Sequence, residues 1–311
     1  MDTAVRFPTS PAALKAAPVK LSRRMRVEQA FQAVARSCLD QIEGNEAGVA
    51  RYHDAESLHQ MRIGLRRLDA AFKLFRDLLQ APPAIVAELA WLLEQLGPAR
   101  DWDVFVDSTL PRVTCAMPGH GELDPLRVVA LERSGALFAQ ASAAVASIRF
   151  SKLVNALEQW SEQRGWRDDL TARGIEQLHV RVGDFADTVL AQAQQRLLRR
   201  GNKLKQADAR RRHRVRIAAK RTRYATEFFA ALYPGKRVRP YVQALTGLQD
   251  ELGWLNDAAV ATRLLDQASE VDPGVRQGAA LVRGYLAACC EQGERTVPKL
   301  WKKFKPVARP R

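Results

Sequence analysis

The sequence predicts an all-α protein built from a duplicated four-helix unit. Three observations carry this. Apolar residues recur at helical spacing along almost the whole 311-residue chain. No period-two alternation bounded by turn residues occurs. Four landmarks also recur in the same order: Gly44-Asn45 with Gly201-Asn202, His59 with His213, Leu96-Gly97 with Leu252-Gly253, and Asp124-Pro125 with Asp272-Pro273. Their offsets are 157, 154, 156 and 148 residues.

The elements follow in order. Residues 1–20, with Pro8, Pro11 and Pro18, read as an extended lead-in. Met25, Phe31, Ala35 and Leu39 place a first helix from about Arg23 to Gly44-Asn45, residues that tolerate a left-handed stop. Asp54 to Ser57 supplies N-cap chemistry, and Ser57 with Gln60 fits a capping box for a helix to about Gln80, ended by Pro82-Pro83. A third helix covers 84–96 and stops at Gly97-Pro98, with 99–110 resuming after a kink; 111–123 reads as loop. Asp124-Pro125 opens a long helix to Ser161. After a joint at 162–171 the pattern repeats: a helix over 172–200, one over 207–232, one over 237–252 that stops near Gly253 and resumes through Leu265, and one from Asp272-Pro273 to Lys303. The units are therefore 21–161 and 172–305.

The second helix carries two stripes. Met61, Leu65, Leu68, Phe72 and Phe75 keep one face apolar, while His59, Arg62, Arg66 and Lys73 fall on another. A row of like charges at i,i+3 and i,i+4 costs stability. It occurs twice: His213, Arg216, Lys220 and Arg221 match His59, Arg62, Arg66 and Arg67. The stripe breaks once in each copy, where Asp69 faces Arg223 in the alignment and Glu227 faces Lys73. Asn256 stands where the first copy has Arg100.

Charge sharpens the reading. The net charge is +15 and arginine outnumbers lysine 37 to 12. Residues 1–164 net only +1 and residues 165–311 net +14, with 13 cations against Asp208 alone in 196–223. Such an excess points to a polyanion: nucleic acid, anionic membrane or polyphosphate. No apolar run reaches membrane-span length and no signal-peptide core is evident, so a cytoplasmic location is expected. Cys38, Cys115, Cys289 and Cys290 form no CxxC pair and read as buried free thiols. No HExxH, Walker glycine loop or nucleophile elbow occurs, and Asp101 and Asp257 each read as the partner of an arginine or the cap of a helix restart, holding the basic face in position. The tryptophans read as packing residues.

The His59–Leu68 segment, Leu96–Asp103 (Leu-Gly-Pro-Ala-Arg-Asp-Trp-Asp) and their second copies resemble the CHAD domain, the conserved histidine α-helical domain, over roughly 15–305. The resemblance implies two four-helix bundles with pseudo-two-fold symmetry around a basic groove or pore that binds inorganic polyphosphate, in some members on polyphosphate granules. On the residues, the expected ligand contacts are His59, Arg62, Arg66, Arg67, Lys73, His213, Arg216, Lys220, Arg221 and Arg223. Arg23, Arg24, Arg26, Arg196, Arg199, Arg200, Lys203 and Lys205 are candidate extensions of the track. The expected activity is non-enzymatic, with no catalytic residue, metal or cofactor. Nucleic-acid binding, or a scaffold role toward acidic or granule-bound proteins, is the alternative.

Overall fold

In a computed structural model, residues 11–168 and 170–311 are described; the first ten residues of the expected lead-in and Asp169 lie outside that range. The elements are helical throughout: α1 Val27–Glu43, α2 Glu46–Ala50, α3 Ala55–Phe75, α4 Pro83–Val104, α5 Leu110–Ala116, α6 Leu123–Val145, α7 Ile148–Glu162, α8 Ala172–Leu178, α9 Val182–Gly201, α10 Ala209–Phe228, α11 Gly235–Val271 and α12 Arg276–Phe304. No strand occurs among the described residues, and Arg26 and Arg181 form an isolated antiparallel bridge.

The lead-in from Pro11 is extended, and it is pinned. Asn45, fully buried, donates to the Leu14 carbonyl at 2.9 Å and accepts from the Leu14 amide at 3.0 Å. The residue expected only to stop α1 therefore also docks the segment before it. Val19 and Leu21 enter the core.

Helix starts follow cap chemistry. Asp54 caps α3, its carboxylate accepting from the Ser57 amide at 2.8 Å. The helix thus begins before the expected Ser57–Gln60 box, and Gln60 bonds to Glu56 and Gln41 instead. Ser147 caps α7 and splits the single helix expected over 124–161. That helix opens at Leu123 rather than at Asp124-Pro125.

Three further expectations fail for tertiary reasons. α4 runs through Gly97-Pro98 and continues by a π-helical turn, Phe105–Thr109, into α5, so part of the expected loop is helical. α11 runs unbroken through Gly253, about 55 Å at 1.5 Å per residue. The helix expected over 172–200 is broken after Leu178. There the chain straightens so that the Val27 amide donates to the Val180 carbonyl (3.0 Å) and the Val182 amide donates to the Met25 carbonyl (2.8 Å).

The core has three parts. The first surrounds Phe31, whose ring meets Phe75, Trp160 and Trp166 edge-on at 5.3, 5.8 and 5.1 Å. It reaches across to Phe185 and Phe229, which contact Phe75 at 5.0 and 6.1 Å. The second packs Trp102, Phe105 and Leu126 against Leu265, Val282 and Leu286. The third packs Leu197, Val215, Tyr241, Leu248 and Trp301. The first two draw residues from both sides of the 162–171 joint. Trp102, Trp160, Trp166 and Trp301 are buried, whereas Trp91 and Trp254 lie half-buried under Arg149 and Arg112. Of the cysteines only Cys38 is buried; Cys115 is exposed and Cys289 and Cys290 are half-buried, which corrects the expectation of four buried thiols. No helix among the described residues is long and apolar enough to cross a membrane.

Candidate functional site

α3 and α10 pack against each other, and each turns its cationic stripe toward α4 and α11. Arg62 is buried, with 8% of its surface exposed. Its guanidinium donates to the Leu93 carbonyl at 3.2 Å, and its electrostatic neighbours are Arg66, Asp101 and Arg100. Across the groove, Arg216 has its Nε buried with no protein acceptor, near Asp257 and Arg66. Lys220 lies among Arg216, Arg66, Asp257 and Arg223, and His59 faces Arg100, Arg62 and Lys220. Arg66, Arg216 and Lys220 make no hydrogen bond or ion pair with the described protein residues. A buried donor without a partner costs about 1–3 kcal/mol; among these three that applies to the Arg216 Nε, while Arg66 is exposed and Lys220 half-buried.

The electrostatics agree. Burial, reinforced by Arg216 and Arg66, pulls the Lys220 ammonium down to about 8. Burial and nearby cations also lower Arg62, Arg216 and His59. Asp101 and Asp257 sit among these cations, yet burial raises both carboxyls above their ordinary range. Neither makes a direct ion pair; Asp257 accepts from Asn256 at 3.4 Å. They act on the cations through space, Asp101 on Arg62 and Asp257 on Arg216 and Lys220, where the sequence suggests direct pairing or a cap at a helix restart.

Other expected contacts lie elsewhere. Arg67 points into the protein, 3% exposed; it donates to Gln41 at 2.7 Å and stacks over Phe228. Lys73 is tied to Asp69 at 2.6 Å, and Arg223 lies 3.3 Å from Glu227. The two breaks in the stripe are thus one device with the charges exchanged: an i,i+4 pair that neutralises the end of each run. Arg221, Arg196 and Arg200 line a separate cleft with Lys73. His213 is exposed and lines another cleft, which shares Arg216 with the groove. Among the extensions, Arg23 pairs with Asp187 (2.8 Å) and Arg26 donates to the His179 carbonyl, so both staple α1 to α9 and its approach. Arg24, Arg199, Lys203 and Lys205 are exposed on the outside.

Two groove residues had escaped the site reading. Arg100 was legible as part of the Leu96–Asp103 motif and is bonded to Asp103. Arg263, beside Asp101, had no signal: its repeat counterpart is Asp107.

Fold and site together define an all-α protein with a cluster of cations where α3 and α10 meet α4 and α11. The sequence model of the CHAD domain matches residues 33–266, and the chain belongs to that family. It is similar to the crystal structure of the CHAD domain from the plant Ricinus communis, with 34% identity over 96% of this chain and 99% of that one and a TM-score of 0.86. PptA from Streptomyces chartreusis shares the fold, with a TM-score of 0.66 and 14% identity over 89% of this chain and all of that one. No curated protein matches.

Proposed function

We propose that this protein binds linear inorganic polyphosphate, without chemistry on it, in the groove formed by His59, Arg62, Arg66, Arg100, Arg216 and Lys220. The observation that carries the reading is the crowding of Arg66, Arg216 and Lys220, which have no acceptor among the described residues, beside Arg62. Phosphoryl oxygens would satisfy the guanidinium forks and displace counterions, so affinity falls with salt. From His59 to Arg66 the helix rises about 10 Å, room for a few consecutive phosphates, and long chains bind better than short ones.

The groove lies where two similar halves meet. We infer a pseudo-two-fold relation that pairs α1 with α9, α3 with α10 and α4 with α11. The bridge between Arg26 and Arg181, 155 residues apart, supports it, since each residue immediately precedes the first long helix of its half. The same reading puts the protein in the cytoplasm, on polyphosphate granules when these are present, where it can meet granule proteins.

The test is a competition titration at fixed moderate salt. Labelled long-chain polyphosphate is challenged with single-stranded DNA of equal total charge, beside an Arg66→Glu/Lys220→Glu variant checked for helicity. Weak competition and loss of binding in the variant support the groove. Equal competition, or unchanged binding, moves the site to generic charge and favours nucleic acid. Magnesium-dependent phosphate release would overturn the non-enzymatic reading.

A further inference from the structure

A second cleft, of about 540 Å³, opens between the end of α3, α9 and α10. It shares no lining residue with the groove. On α10 it uses Ala218, Arg221, Thr222 and Ala225, whereas Arg216, Lys220 and Arg223 project from another side of the helix. Its origin is a difference between the copies. In the first half Arg67 is sealed inside, donating to Gln41 on α1. Its counterpart Arg221 has no such acceptor. Arg196 on α9 lines the same cleft, so two like charges stand there and the interface is open.

The cleft has two chemistries. Leu74, Phe185, Val189 and Ala225 form an apolar wall, and Arg196, Arg200 and Arg221 stand on its rim. Arg221 makes no hydrogen bond or ion pair with the described residues, and the bonds that Arg196 and Arg200 make, to Gln192 and to the Arg214 carbonyl, are long at 3.4 Å. Lys73 and Arg76 are occupied by Asp69 and Asp77. An inorganic chain would leave the apolar wall wet, and an acyl anion carries one carboxylate for three guanidinium groups. A cleft of this size takes a drug-sized ligand.

We propose that this cleft binds a nucleoside polyphosphate, its base on the wall of Leu74, Phe185 and Val189 and its phosphates on Arg196, Arg200 and Arg221. The site is independent of the groove and stands or falls without it.

The experiment is calorimetric titration of the full chain with ATP, tripolyphosphate and decanoate, without divalent metal. The proteins are wild type, Ala193→Phe (which fills the cleft), Arg221→Gln, and the groove variant Arg66→Glu/Lys220→Glu. ATP should bind at least tenfold more tightly than tripolyphosphate in wild type and in the groove variant, and that excess should vanish in both cleft variants. Should Ala193→Phe misfold, Arg221→Gln carries the comparison. Equal binding of ATP and tripolyphosphate, tighter binding of decanoate, no binding of ATP, or loss of ATP binding only in the groove variant would each overturn the proposal.

Discussion

The protonation state of Lys220 makes the groove sensitive to alkali. Its ammonium is held at about 8 in the free protein against an ordinary 10.5, because burial, Arg216 and Arg66 all disfavour the charge. A polyphosphate chain reverses that pressure and draws a proton onto the amine. With a free value of about 8 and a bound value restored to about 10.5, the binding constant falls about tenfold from pH 7 to pH 9, or about 1.4 kcal/mol. The same group shifts stability the other way. Between 8 and 10.5 the unfolded chain holds more protons than the folded one, so this contribution to stability rises with pH. The titration of Lys220 thus weakens binding in that window without itself weakening the fold. The assay is fluorescence anisotropy of labelled long-chain polyphosphate at constant ionic strength from pH 6.5 to 9.5, beside Lys220→Arg, with circular dichroism at each pH. The wild type should show the slope, and Lys220→Arg, always charged, should lose most of it. An identical slope in both proteins would refute the reasoning.

Four further outcomes are expected. Arg66→Ala should weaken polyphosphate binding and lower the slope of log affinity against log salt by about 0.7, with little change in urea midpoint. Arg67→Ala should do the reverse, unfolding earlier while the folded protein binds as before, because Arg67 bonds to Gln41 inside the protein. Glu28 accepts from both Arg167 nitrogens at 2.6 Å and from Trp166 at 3.0 Å, so Glu28→Gln should cost about 2–3 kcal/mol in urea unfolding. These bonds hold the Glu28 carboxyl below its ordinary value, so the wild-type advantage is present above about pH 4.5 and disappears as pH falls through the folded value. Gly278→Ala should lower the thermal midpoint, by about 1–3 kcal/mol of overpacking, because a Cβ there would meet the Glu122 carbonyl at 2.3 Å where α12 crosses the start of α6.

The helices that build the groove were legible because each kind of evidence agreed: caps before them, an apolar stripe along them, and a second copy. The cations that the structure brings together, Arg62, Arg66, Arg216 and Lys220, stand on those same stripes. Arg67 was misassigned although the helical wheel carries the signal, since one residue beyond Arg66 rotates the side chain by about 100°. Lys73 and Arg223 each carry an i,i+4 salt bridge that closes the break in the stripe, and Arg223 still neighbours Lys220. The misses in helix boundaries share another cause. Pro98 and Gly253 weaken a helix locally, but α4, packed on α3 and α6, and α11, packed on α10 and α12, continue through them. The break before Val182 has no local cause at all, since it exists to pair with Met25 and Val27.

The two largest cores draw on residues from before and after the 162–171 joint, and that ties the fate of the halves together. If the chain were made as two separate polypeptides ending and starting at that joint, neither would have a complete interior. The first would leave Trp102, Phe105 and Leu126 in water, and the second Leu265, Val282 and Leu286. Each would be a poor solute alone and a specific partner for the other, with the Met25–Val182 and Val27–Val180 hydrogen bonds to fix the alignment on reunion. A protein read from one gene would then behave as a heterodimer whose assembly is its folding.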